Sequence, residues 1–214
     1  MPRFSGVLLL ALAACAQAPP KAPESSPASR PVVAPLPALP ATYGGASDCA
    51  GCAAVTLQLR PDGAFLLRER LGPSEFADFG RWRRLPDGTL ELQGSREAKR
   101  RYAPRPDGSL EVLEGPGERL RREAAAQPIR GPFRMVGLYD GRSFTDCSTG
   151  LAWPLDESRA GAELMRAYRA SPAGAAGRPA LVSIDARLEN EGTPQEEIRV
   201  QRIPAVLSGS ACPG

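Results

Sequence analysis

Histidine is absent from all 214 residues. That one gap removes His-dependent catalytic triads, imidazole metal ligands and histidine pH switches together. Methionine stands only at Met1, Met135 and Met165, so there is no Met-rich motif for a soft metal. Lysine is nearly missing too, and arginine carries almost all the positive charge. With 27 Lys plus Arg against 24 Asp plus Glu the formal net charge is +3, and nothing in that balance points to nucleic acid. Aromatic residues make up 6% of the chain, too few for a base-stacking platform. No Gly-rich phosphate loop, activated serine or paired-carboxylate constellation stands out, which leaves a non-enzymatic reading.

Arg3 followed by the apolar run Val7–Ala14 reads as a secretory signal over residues 1–14. The run is far too short to cross a bilayer as a folded helix. It ends in Leu12-Ala13-Ala14-Cys15, which resembles a bacterial lipobox. The resemblance implies cleavage before Cys15 and diacylation of its sulfur, with the membrane as the first partner. The competing reading is ordinary secretion, with Ala16-Gln17-Ala18 as the cleavage site. Ala16, rather than aspartate, after the cysteine implies the outer membrane by the lipoprotein sorting rule. Residues 15–41 then form a Pro/Ala/Ser-rich tether that cannot bury enough apolar surface to fold. In polyproline II geometry, at about 3.1 Å per residue, it holds the body several tens of ångströms from the membrane.

The folded body begins near Thr42. A C-x-x-C pair, Cys49 and Cys52, sits in a Gly/Ala-rich turn before Val55, Leu57 and Leu59, whose period-two spacing predicts a half-buried strand. Pro-Asp-Gly recurs at 61–63, 86–88 and 106–108, each time between two strand-like runs, and Leu120 lies in a closing strand. Repeated hairpins without helical periodicity predict an antiparallel meander curling into a small barrel over 42–122. Arginines at 81, 83 and 84, at 100 and 101 beside Lys99, and at 119, 121 and 122 give either a basic face for anionic partners or the solvated outside of the barrel.

From 131 to 214 the pattern changes. Phe133–Tyr139, Arg142–Cys147 and Leu151–Pro154 predict three strands. A helix capped by Asp156 follows, with Ala160, Leu164, Ala167 and Tyr168 on one face, stopped at Ser171-Pro172. Ala180 to Leu188 alternate, and Ile198 and Val200 begin a last strand. Three strands, a helix and two strands is the order of an OB-fold. The predicted fold class is thus mainly β, a small antiparallel barrel followed by an OB-fold-like barrel with one helix.

Three stretches carry a family resemblance. Thr42-Tyr43-x-Gly45 with Cys49-Ala50-Gly51-Cys52, then Gly80-Arg81-Trp82, then Phe144-x-Asp146-Cys147-x-Thr149-Gly150 with Cys212, resemble the NlpE family of outer-membrane lipoproteins, often labelled copper-resistance lipoproteins. Ser47-Asp48 and Ala53-Ala54 depart from the residues the family usually has around the first two cysteines. The resemblance implies that the first barrel is lipocalin-like. It also implies a role in reporting envelope stress, surface contact, or redox and copper disturbance to a sensor kinase of the Cpx type. A small-molecule or lipid carrier using the barrel interior, and a purely structural envelope lipoprotein, are the competing classes.

With Cys15 acylated, four cysteines remain, and an oxidising compartment favours two disulfides. Sequential pairing, Cys49–Cys52 and Cys147–Cys212, keeps each bond within one domain. Loop-closure entropy favours the second, at roughly 4 kcal/mol against about 2 for the tiny ring, so Cys147–Cys212 reads as a staple. For Cys49 and Cys52 three roles stand open: a passive loop staple, a labile redox element, or a Cu(I) site of two soft thiolates. A thioredoxin-like catalyst is disfavoured because a strand, not a helix, follows the pair, and a structural zinc lacks its other two ligands.

Overall fold

In the computed structural model the described residues are 38–46, 53–95, 99–114, 119–124, 128–155, 158–207 and 209–213. The expected signal, Cys15 and the Cys49–Cys52 pair lie outside them.

The three Pro-Asp-Gly segments fold alike. In each, the glycine N–H donates to the carbonyl three residues back, on Arg60, Leu85 or Arg105. Each glycine is left-handed, with φ of 84° at Gly63, 85° at Gly88 and 78° at Gly108. Each aspartate accepts the backbone N–H two residues on, from Ala64, Thr89 or Ser109. Proline sets the first corner, aspartate ties it off, and glycine takes the conformation that a side chain would resist. These turns join β2 (Ala54–Leu59) to β3 (Ala64–Leu71), β4 (Ser74–Arg84) to β5 (Leu90–Gly94), and β6 (Arg100–Pro104) to β7 (Leu110–Val112).

Closure depends on a strand that the sequence pattern does not announce. Ala41–Ala46, here β1, pairs with β2 on one side and with β8 (Arg119–Glu123) on the other, giving a closed eight-stranded antiparallel barrel. Gly45 lets β8 approach, since a Cβ there would lie 2.5 Å from the Arg119 carbonyl oxygen. The interior is filled by side chains: Tyr43, Leu57, Phe65, Leu92, Tyr102 and Leu120 are among its buried members.

The outer wall is not uniformly polar. Ala64 and Leu66 on β3, with Ala77 and Phe79 on β4, point away from that interior and join a second apolar cluster. Its other members come from a five-stranded sheet in the order β11-β10-β9-β12-β13. The strands are β9 (Phe133–Tyr139), β10 (Ser143–Asp146), β11 (Ala152–Pro154), β12 (Ala180–Glu189) and β13 (Glu197–Val206). This is the OB-fold strand order, curled into a half-barrel, and its two edges meet in a single parallel bridge between Leu155 and Ile198. Barrel and half-barrel belong to one compact unit. Phe79 stacks edge-on against Trp153, with ring centroids 5.7 Å apart, so the barrel wall forms part of the second core. Burying Leu66 and Phe79 there is worth about 1.5–3 kcal/mol each.

Helix α1 (Arg159–Ala170) turns Gly161, Leu164 and Tyr168 inward. Its N-cap is Ser158, whose hydroxyl accepts from the Gly161 N–H, in place of the expected Asp156, which lies outside the described residues. At Ser171 the chain leaves the helix and starts a further short helix, α2 (Pro172–Ala175), with Ser171 as its cap. The expectation of one helix therefore misses α2. A Ser-Pro pair that ends one helix also supplies the cap and first position of the next.

Candidate functional site

The two bodies meet in a cleft of about 1000 Å³. Its floor is a charged knot centred on Arg60, which ends the β2 arm of the first Pro-Asp-Gly hairpin. The Arg60 side chain is 9% exposed and the Glu196 side chain 10%. Arg60 Nη1 donates to Glu196 Oε2 at 2.8 Å and Nη2 to Glu196 Oε1 at 3.1 Å. Nη2 also reaches Asp62 Oδ2 at 2.7 Å. Glu196, at the end of the β12–β13 connection, further accepts the Trp153 indole N–H at 2.7 Å and the Gly192 backbone N–H at 2.7 Å. Trp82 on the barrel donates its indole N–H to the Arg60 carbonyl at 3.0 Å. Burial works against the Arg60 charge, yet the bonds from Glu196 and Asp62 outweigh it and hold the guanidinium pKa above its ordinary value.

Beside this knot, Gln58 Nε2 donates to Glu191 Oε1 at 2.5 Å, again from barrel to half-barrel. Burial pushes the Glu191 carboxyl pKa up; Arg60 and the Gln58 bond oppose this, and the carboxylates of Glu196 and Asp62 add to it. Two further contacts cross between the bodies. Arg81 Nη2 donates to the Thr149 carbonyl at 3.1 Å, and the Ser95 hydroxyl to the Arg134 carbonyl.

Thr149 leads to the disulfide. Cys147 and Cys212 are joined, S–S 2.02 Å, across 65 residues. The bond fastens the C-terminal tail to the end of β10, with Cys147 half-buried and Cys212 exposed. The neighbouring Asp146 is almost fully buried, and its Oδ2 accepts the backbone N–H and the hydroxyl of both Ser148 and Thr149. This fixes the loop after Cys147 against the barrel through Arg81.

At the barrel's opposite end Glu69 and Arg100 form an ion pair at 2.5 Å. Glu69 continues the inward row of Phe65 and Leu67, and Arg100 lies opposite the inward Leu92. The arginine clusters do not form one bare basic face. Arg83 and Lys99 share Glu91, Arg101 pairs with Glu114, and Arg119 with Asp107.

Among the described residues, no group of three or more His, Cys, Asp or Glu is placed to hold a metal. The candidate Cu(I) pair, Cys49 and Cys52, lies outside those residues, as does Cys15. The seam residues Gln58, Arg60, Trp153, Glu191 and Glu196 escape sequence reasoning because their partners are 133, 136 and, for Trp153, 43 residues away. One signal was available. Ala64-Phe65-Leu66-Leu67 is apolar on both faces of a strand, which a one-sided barrel wall does not require.

No family model matches the chain. The chain is 33% identical over 179 residues to lipoprotein NlpE of Escherichia coli (strain K12), spanning 75% of this chain and 73% of that protein. A solved structure, described as the Cpx pathway activator NlpE from Escherichia coli, matches with 26% identity and a TM-score of 0.34, covering 83% of this chain and 98% of that one.

Proposed function

The chain belongs to the NlpE lipoprotein family, and we propose that it is a non-enzymatic outer-membrane-anchored lipoprotein that reports envelope disturbance to a two-component sensor kinase of the Cpx type. The disturbance it reads is surface contact or a redox or copper imbalance. The observation that carries this reading is the extent of the relation to lipoprotein NlpE, 33% identity over 75% of this chain and 73% of that protein. In this reading Cys15 is the acylated anchor, and Cys49 with Cys52 is the labile redox element or Cu(I) ligand pair. The filled barrel interior, with Glu69 and Arg100 across its end, speaks for a signalling body over a carrier.

The test is a reporter of the envelope stress response in cells producing the wild type, Cys15→Ala, or Cys49→Ser/Cys52→Ser. Wild-type overproduction is expected to induce the reporter, and Cys15→Ala to change that response. The double substitution is expected to reach the membrane and respond abnormally to reductant or copper. Intact mass of the membrane fraction should show a chain starting at an acylated Cys15. A correctly acylated wild type that leaves the reporter silent defeats the signalling reading. Native mass spectrometry showing a co-purified lipid or small molecule would favour the carrier instead.

A further inference from the structure

We propose that Glu191 is a proton-operated latch on the seam between barrel and half-barrel: protonated, it holds the two together, and ionised, it loosens them. The geometry comes first. Arg60, Asp62 and Glu196 already form a knot in which one guanidinium faces two carboxylates. Glu191 brings a third carboxylate to the same cleft, and its bonded neighbour from the barrel is the uncharged Gln58. The other charged groups in view do not neutralise it. Glu189 adds negative charge and is engaged by Arg199 at 3.8 Å, and Arg130 lines the cleft as an exposed side chain. The knot is short of positive charge, and a proton on Glu191 supplies it.

The contact accommodates both forms. Ionised, Glu191 accepts from the Gln58 amide N–H; protonated, it donates to the amide oxygen after a flip of the Gln58 side chain. Burial, with Glu196 and Asp62 alongside, pushes the carboxyl pKa up and favours the protonated form in the closed seam.

The sign follows from linkage. A carboxyl whose pKa is raised in the closed seam binds its proton more tightly there than in the open one, so closure is favoured below that pKa and weakened as pH rises through it. Each unit of difference makes the closed-to-open ratio about tenfold larger on the acid side. A buried seam between two bodies is thereby given a pH response in a chain that has no histidine.

The experiment uses the purified full-length chain in detergent and does not depend on any signalling partner. Hydrogen exchange of residues 58–63 and 189–196, corrected for intrinsic rates, is followed from pH 4.5 to pH 8. Protection in both segments is expected to fall severalfold as pH rises. In Glu191→Gln, which fixes the uncharged form, it is expected to stay high throughout, while Glu189→Gln retains the wild-type response. The carboxyl ¹³C shift of Glu191 in the wild type gives its titration directly and is expected above the ordinary glutamate range. The proposal is overturned if Glu191 titrates at or below that range, or if Glu191→Gln keeps the wild-type pH response.

Discussion

Replacing Glu196 by alanine removes four hydrogen bonds from one seam carboxylate. The cost can be built from its partners. Breaking a buried ion pair costs about 3–5 kcal/mol when the surviving charge has no other counter-ion. Arg60 keeps Asp62, whose side chain is 30% exposed, so the lower half of that range applies. The Trp153 indole N–H, on a residue 4% exposed, loses its acceptor, and an unsatisfied buried donor adds about 1–3 kcal/mol. The two losses share one site and do not simply add, which puts the expected destabilisation near 3 kcal/mol. For a folded unit of this size that corresponds to a fall in melting temperature of roughly 6–12 °C. Calorimetry and urea unfolding read the loss. A second consequence is more specific: with the knot cut, the single cooperative transition expected of the wild type should separate into two, the barrel and the half-barrel melting independently. A loss below about 1 kcal/mol with one transition retained would refute the view that this knot fastens the two bodies.

Two other outcomes are expected. Cys212→Ser releases the tail from β10 and should lower half-barrel stability by about 4 kcal/mol on the chain-entropy estimate, read by hydrogen exchange at β10 and β12; unchanged protection there counts against it. Asp185 is buried, which alone would raise its pKa, but bonds from Arg134 and Arg202 outweigh burial and hold it below the ordinary value. Its contribution is therefore present above the unfolded-state aspartate pKa and lost as pH falls through the depressed one, so Asp185→Asn should flatten the acid limb of stability below about pH 4, and an unaltered limb contradicts this.

What the sequence made legible were the features whose causes are local. Pro61-Asp62-Gly63 and its two repeats each hold all the chemistry of their turn within five residues, and the alternation from Ala180 to Leu188 needs only its own period. β1 was not legible because Thr42-Tyr43-Gly44-Gly45 has no alternation to show, and the closure it makes beyond its pairing with β2 comes from Arg121 to Glu123, some eighty positions later. Arg60 reads as an ordinary surface arginine until Glu196 arrives 136 residues on. The departure of the helix cap from Asp156 to Ser158 is smaller. Both residue types cap well, and sequence alone does not choose between neighbours two positions apart.

The placement of β1 has a mechanical consequence. The chain enters the barrel at Ala41, opposite Leu59 and one residue from Arg60, and runs along the wall held on both flanks. Tension on the chain preceding Pro40 therefore acts along the strand axis and across the hydrogen bonds to β2 and β8, which lie perpendicular to it. Those bonds share the pull at once and do not yield one after another, so β1 resists extraction as a sheared splice, not as a zip. The same pull is delivered beside the seam, at the point where barrel and half-barrel are tied.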